Sequence, residues 1–539
     1  MTNLQGVSSK KTASPRAGLR EWIGLAVLML PTILIAMDLT VLHLAIPSIS
    51  EDLQPTSTQL LWITDIYGFM IAGSLITMGT LGDRIGRRRL LMIGAAAFGA
   101  TSILAASSTS AGMLIFSRAL LGIAGATLMP STMSLIRNMF PDSRQRTAAI
   151  GVWVSGFSAG SAIGPLVGGF LLEHFSWGSV FLIAVPIMVL LVVGGLLVLP
   201  EYKDPNPGRF DLIGAVMSIV AVLSIIFGVK QLAEIGLDLL ALGAITLGLI
   251  VGYLFIRRQR LLPDPLIDLK LFRVPAFSAS LMTYGVGIFV AFGVGLFTAQ
   301  YLQLVLGLSP MEAGIWSLPG AVISIIASNT APRLARRIRT AYIVAAGLIS
   351  AAVGLAIIAQ AGIDSLGLVV GGNLLISLGF GFAFTLTIDM VVATAPPERA
   401  GAASAIAETA AELGGALGIA VLGTIGMLIY SHQLAATMPP GISAEAAVAA
   451  EATLGGAVIV AAGLPADAGA ALMSSASYAF VHGLQLVAFV GMIAFAGLTA
   501  LTLTILRHIR SETAHEDELE MGYETVASIS PHPELIAGD

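Results

Sequence analysis

The 539-residue chain contains no cysteine, so it can form no disulfide, no thiolate metal site and no cysteine-anchored lipid modification. It is also poor in charge. Only 11% of its residues are Asp, Glu, Lys or Arg, against roughly 25% in soluble domains. With 56% hydrophobic residues and a mean hydropathy of +0.90, this scarcity excludes a soluble protein and points to a polytopic membrane protein. No zinc, nucleotide or phosphate-cradling motif is present, and nothing resembles a catalytic constellation. The one formal match, Gly156-Phe-Ser-Ala-Gly160, has the spacing of a nucleophile elbow but lies in an apolar run, not at a strand–turn–helix junction. The reading is a protein that is not an enzyme and has neither cofactor nor metal. Without an ATP site, any uphill transport must draw on an ion gradient.

The formal net charge of −5 says little, because much of it comes from Glu512, Glu516, Asp517, Glu518 and Glu520 in the C-terminal tail. The composition of that tail suggests disorder. No cleavage-site pattern follows the first apolar run, which therefore reads as a retained helix and not as a signal peptide.

What is abundant is apolar sequence. Runs of the roughly 20 residues needed to span a bilayer fall at 22–46, 60–81, 90–108, 112–137, 147–173, 178–199, 211–230, 237–257, 274–302, 311–332, 341–360, 366–393, 400–430 and 477–506, fourteen in all. Charge tests the count. Of the 27 Lys and Arg, Arg118 lies within a span and Lys230 is the only one assigned outside; the other 25 fall at the N-terminus, in even-numbered connections and at the C-terminus. Both termini are thus expected in the cytoplasm. A weakly apolar stretch, Val448–Leu464, lies between the last two spans. A fifteenth helix there would send Arg507 and Arg510 outside. Glu445, Glu451 and Asp467 also argue against it, so residues 431–476 are expected to form a partly helical extracytoplasmic loop.

Leu81-Gly-Asp-Arg-Ile-Gly-Arg after the second span is echoed by Leu334-Ala-Arg-Arg-Ile-Arg-Thr after the tenth. The echo suggests two six-helix halves, a transporter plan. The expected organisation is a cytoplasmic N-terminus (1–20), a first half (21–200), an inserted helix pair (201–260), a second half (261–510) and an acidic tail (511–539).

An ionisable group in hydrocarbon is costly and is by default a functional candidate. Those within spans are Asp38 and His43 in the first, Asp65 in the second, Arg118 in the fourth, Asp389 near the end of the twelfth, and Glu408 and Glu412 in the thirteenth. At 1.5 Å of rise per residue, Asp38, Asp65 and Arg118 all lie on the order of 10 Å from the outer surface. Arg118 is thus placed to neutralise one of the two acids, and the other becomes a candidate proton carrier. Glu408 and Glu412 are four apart and share a helix face, where a shared or exchangeable proton is favoured. Asp389 lies close enough to Arg399 to be a structural pair, and His43 reaches the outer interface.

Gly156, Gly160, Gly164 and Gly168 form one face of the fifth span, with Pro165 and Gly169 beside them. Such a face lets another helix approach closely, and the proline permits a bend; the face is expected to be a sliding or gating seam. Trp153, Phe157, Tyr284 and Trp316 are candidates to line a cavity for a flat cation, against the alternative of ordinary packing.

These motifs resemble the major facilitator superfamily, and specifically its fourteen-helix drug:proton antiporter branch, closest to the exporters of quaternary ammonium compounds and dyes. Gly79-Thr-Leu-Gly-Asp83-Arg84-Ile-Gly86-Arg87-Arg88 is similar to the loop 2–3 signature. Arg118 in Phe116-Ser-Arg-Ala-Leu-Leu-Gly matches the helix 4 motif, whose arginine the family associates with proton coupling. Gly160 to Gly169 match the helix 5 antiporter motif, and Asp38 to Pro47 the helix 1 motif, with His43 where Asn is common. Trp62-Ile-Thr-Asp65-Ile-Tyr67 carries the acid typical of the quaternary-ammonium subset. Tyr301 to Pro310, Pro396 to Gly401 and Glu408 to Gly414 also look like the branch. Ser324 stands where some relatives have an acid, and Ala407 where some have a second adjacent acid, so the range is expected to lean to monovalent cations.

The resemblance implies an all-α membrane protein that exports lipophilic cationic drugs in exchange for protons by alternating access, working as a monomer in the cytoplasmic membrane. No nucleic-acid partner is implied. Asp38, Asp65, Arg118, Glu408 and Glu412 would carry protons and cations; Gly79, Asp83, Arg84, Gly86 and Arg87 would form a cytoplasmic latch. The alternatives are a proton-coupled exporter of one endogenous metabolite or lipid, and a transport-inactive scaffold or sensor. The five acids within the spans argue against the scaffold.

Overall fold

The computed structural model describes residues 16–203, 211–235, 238–396 and 399–506. Arg507, Arg510 and the acidic tail lie outside the described residues. Among those residues there is no strand. Each expected span is one long helix: α1 (Leu19–Leu53), α2 (Ser57–Ile85), α3 (Arg87–Ala106), α4 (Ala111–Met139), α5 (Ser143–His174), α6 (Ser179–Val198), α7 (Leu212–Ile235), α8 (Leu239–Leu261), α9 (Pro275–Gln300), α10 (Pro310–Ala335), α11 (Thr340–Ile358), α12 (Leu366–Thr394) and α13 (Ala400–Ala436). Two short helices follow, α14 (Ala444–Ala452) and α15 (Leu454–Ala462), and then the last span, α16 (Ala466–Ile505).

Among the described residues, thirteen of these helices are long and apolar enough to cross a membrane. The remaining expected span, α2, is a 29-residue helix that carries Asp65 within it and Asp83 and Arg84 in its last turns.

Local chemistry sets the helix starts. The side chains of Thr56, Ser110 and Asp142 each accept a backbone N–H from the first turn of the helix that follows. At α10, Ser309 forms a capping box with Glu312, and Pro310 supplies the fixed backbone angle of the first position. Gly307, at φ 68°, turns the chain into that cap. It follows a π-helical turn, Tyr301–Val305. There the Tyr301 hydroxyl donates to the Gly362 carbonyl (2.6 Å) and accepts from Ser365 N–H (2.9 Å).

The connection expected over 431–476 is shorter. α13 runs on to Ala436 and α16 begins at Ala466, because the Ala-rich flanks contain no helix breaker before Pro439-Pro440 or after Pro465. The Tyr430 hydroxyl donates to the Ala450 carbonyl (2.8 Å) and ties α14 back to α13.

In the first half α1 packs on α5, and α4 on α2 and α3. In the second α9 packs on α13, and α12 on α10 and α11. The halves meet where α5 crosses α10 and where α13 lies against α2 and α4. α7 pairs with α8 and also touches both α2 and α13, one from each half.

The glycine face of α5 does not lie between the halves. A Cβ on Gly160 would meet the Ile33 carbonyl, one on Gly164 the Thr40 hydroxyl and one on Gly168 Val41, all on α1 of the same half. The expected gating seam is therefore an internal joint. Spacing alone identifies a close-packing face but not its partner. The surface that α5 turns to the other half holds Gly151, against Ser328 and Pro332, and Ser158, whose hydroxyl donates to that of Ser324 (3.0 Å).

Candidate functional site

The charged groups form two sets: ties at the arginine-rich face and groups in the interior. At the arginine-rich face, Arg87 is fully buried and its Nε donates to Asp83 (2.8 Å), one turn back. Gly86, at φ 111°, makes the turn between them, and a Cβ there would strike the Glu201 carboxylate. Arg88 donates to the Leu199 carbonyl (3.0 Å), fastening the hairpin to the end of α6. Cβ atoms on Gly79 and Gly401 would meet Ala405 and the Arg87 guanidinium respectively, so α2 and the start of α13 touch across the halves here. Arg84 sits in the last turn of α2.

Asp389 does not pair with Arg399. It accepts from Thr147 (2.7 Å) and Arg146 (3.4 Å) on α5, while Arg399 pairs with Asp268 (3.1 Å). Nearness in sequence suggested Arg399, but the crossing of α5 over α12 brings Arg146 closer.

At the foot of α7, Asp211 receives Arg258 through both oxygens (2.8–3.1 Å), together with the Gly214 N–H and Gln259. Burial alone would raise the Asp211 carboxyl, but these donors outweigh it and hold the group below the usual carboxylate range.

The interior groups are held differently. Arg118 lies 3.8 Å from Asp38, beyond hydrogen-bond length, with its side chain 1% exposed. Its guanidinium stands over the rings of Tyr67 (5.3 Å) and Phe181 (5.9 Å). Asp38 Oδ2, the Tyr67 hydroxyl, and Arg118 Nε and Nη1 are buried and make no hydrogen bond among the described residues. Asp65, expected at the same depth, is within electrostatic range of Arg118 but is ion-paired with Lys230 of α7. Lys230 Nζ also lies 5.1 Å from the centre of the Phe69 ring. Trp62 stacks on Phe227 (5.9 Å, 14°) and meets Phe69 edge-on (6.0 Å).

In the second half, Glu408 is buried and Glu412 half-buried, and among the described residues neither is ion-paired. Glu412 is within electrostatic range of Lys230 and of Tyr67. Tyr284 is within range of both glutamates and packs edge-on against Phe384 (5.3 Å).

Of the aromatic candidates, Trp153 is fully buried against Phe157 (5.0 Å) in the core of the first half. Trp316 is exposed on α10. Tyr284 alone adjoins the acids. An almost wholly apolar groove between α9 and α13, lined by Met282, Gly285, Phe289, Ala410, Leu413 and Gly414, falls largely on the side of α13 away from Glu408 and Glu412. The arrangement thus brings an α2 carboxylate, an aromatic face and an amine together, with an α13 carboxylate within electrostatic range.

Residues 28–419 match the model of the Major Facilitator Superfamily. The chain belongs to that superfamily. It is 45% identical over 484 residues to the multidrug efflux pump LfrA of Mycolicibacterium smegmatis, covering 90% of this chain and 95% of that one. It is 38% identical to the methyl viologen resistance protein SmvA of Salmonella typhimurium, over 86% of this chain and 93% of that one. A tetracenomycin C resistance and export protein of Streptomyces glaucescens is 31% identical over 88% and 90%. Among solved structures, the human organic anion transporter MFSD10 superposes with a TM-score of 0.59 at 14% identity, covering 88% of this chain and 99% of that one; at this identity the likeness is one of fold. This superfamily member is an all-α, multi-pass membrane protein and a transporter, not an enzyme.

Lys230, Phe69 and Phe227 were not legible as site residues. One signal did point to Lys230: it is the only Lys or Arg that the charge pattern leaves on the outer side.

Proposed function

We propose that the chain is a proton-coupled antiporter that exports lipophilic cationic drugs, dyes and quaternary ammonium compounds across the cytoplasmic membrane, with both termini inside. The observation that carries this reading is the convergence of Asp65 on α2 and Glu412 on α13 toward one ammonium, that of Lys230, beside aromatic rings. A carboxylate in hydrocarbon with an aromatic face beside it suits a cation that is itself lipophilic. The kinship with pumps named for multidrug efflux and methyl viologen resistance supports the same class of cargo.

In this reading a cation enters the cavity between the halves from the inner side. Ionised Asp65, Glu408 and Glu412 attract it. The halves rock, protons arriving from outside neutralise the acids, and the cation leaves. Asp38 and Arg118, with unpartnered buried atoms, form the second proton-handling point. The Asp83–Arg87 hairpin and the Asp389–Arg146–Thr147 tie close the arginine-rich face in one of the two end states.

Purified protein in weakly buffered detergent should release protons when tetraphenylphosphonium or ethidium is added. In inverted vesicles, Asp38→Asn, Asp65→Asn and Glu408→Gln should each abolish gradient-driven ethidium transport. Full transport in all three variants would sink the carboxylate mechanism. The relative named for tetracenomycin C export favours, as a second reading, a pump for one endogenous compound. Competition among unrelated dyes for transport would count against that reading.

A further inference from the structure

α7 belongs to the inserted pair, yet it carries a basic residue into the cluster of acids. Lys230 is paired with Asp65, and its Nζ lies over Phe69 in a cluster completed by Trp62 and Phe227. A carboxylate with an aromatic face beside one positive charge is the chemistry that recognises a quaternary ammonium or another diffuse cation. Here the protein's own ammonium fills it.

The pair is not sealed. The side chains of Lys230 and Asp65 are 25% and 22% exposed, whereas Arg118 beside Asp38 is 1% exposed. Lysine carries a compact charge on a flexible four-carbon stem, which can leave one partner for another without rearranging the backbone. A second partner is at hand, since Glu412 is within electrostatic range. Leu413 and Ala416 of α13 pack on the same aromatic cluster.

We infer that Lys230 is a tethered competitor for the cation site: it occupies Asp65 and the Trp62–Phe69–Phe227 cluster in the absence of cargo, and a cationic substrate must displace it. The inference rests on the cation-export reading and adds to it. It assigns the inserted pair a role in selectivity. Displacing Lys230 keeps the substrate from binding at full strength, because only the fraction of molecules with Asp65 released is competent to bind. It also avoids an unpaired carboxylate in the empty site, since Asp65 stays neutralised until a cation replaces the amine. The displaced ammonium moves toward Glu412, so that one positive charge enters and none is stranded.

The test is tetraphenylphosphonium binding to the purified full-length protein, followed by isothermal titration, for wild type, Lys230→Met, Lys230→Gln, Lys230→Arg, Asp65→Asn and Asp65→Asn/Lys230→Met. If Lys230 holds Asp65 in nine molecules of ten, Lys230→Met and Lys230→Gln bind about tenfold tighter than wild type. Lys230→Arg stays near wild type, and the double variant binds no tighter than Asp65→Asn. Using two neutral replacements guards against one that folds poorly, which size-exclusion chromatography would reveal. Unchanged or weaker binding in both neutral variants, with Asp65→Asn still impaired, overturns the tethered competitor and leaves cation export standing. Equal binding by wild type, Asp65→Asn and Glu408→Gln instead overturns the cation reading itself, and the inference with it.

Discussion

The acids of α1 and α2 and those of α13 are held in opposite ways. In the first half each intramembrane carboxylate has a cation of its own: Asp38 has Arg118 and Asp65 has Lys230. In the second half, Glu408 and Glu412 have none in contact among the described residues. Burying a carboxylate is costly, and a cation in contact offsets part of that cost, whereas an acid with none has only a proton or a ligand to do so. Lys230 stands between the two sets, paired with Asp65 and within electrostatic range of Glu412.

Breaking the N-half pair should have the largest effect on stability. Arg118→Ala leaves Asp38 buried without its cation, and removing one partner of a buried pair costs about 3–5 kcal/mol. The melting temperature in detergent should fall sharply and transport should vanish. Arg118→Gln combined with Asp38→Asn should recover most of the stability but not the transport. Glu408→Gln sharpens the contrast from the other side. It removes a buried acid that has no counter-charge, so melting should be unchanged or higher while ethidium transport falls to background. A large loss of stability in Glu408→Gln would show that this acid also has a structural partner.

A smaller effect is expected at the hairpin. Gly86→Ala forces a side chain into a positive-φ turn and against Glu201, at roughly 1–2 kcal/mol. It should lower transport and melting together. The smallest effect concerns Asp211, at the foot of α7 and far from proton chemistry. Its hydrogen bonds to Arg258, Gly214 and Gln259 hold its carboxyl below the ordinary range. The stability it contributes is therefore complete above the unfolded carboxylate value, about 4, and is lost as pH falls through the lower folded value. Asp211→Asn should be less stable than wild type at pH 7, by about 0.5–1.5 kcal/mol, and the gap should close toward pH 3.

The arginine-rich face teaches a related lesson. Asp389 and Asp38 are both intramembrane acids near an arginine. Asp389 is hydrogen-bonded to Thr147 and Arg146, while Asp38 Oδ2 faces Arg118 at 3.8 Å with no hydrogen bond among the described residues. A satisfied acid is a fastening, and an unsatisfied one is free to take a proton or a ligand. The same residue types serve both purposes, and composition cannot separate them.

By itself the sequence determined the class, the fourteen spans, the pattern of arginines and the identity of every intramembrane acid. Hydropathy and charge are properties of short windows and need no partner to be read. Depth along a helix was also legible, since rise per residue is constant, and it set Asp38 level with Arg118. Direction around the axis and the choice of neighbour were not. The glycine face of α5 announced a close contact but not that α1 makes it, and Asp389 met Arg146 where Arg399 was expected. Asp65 found Lys230, 165 positions along the chain. Only the packing of α7 between α2 and α13 decided that pairing, because ions attract through space and the order of residues along the chain does not say which helices will adjoin.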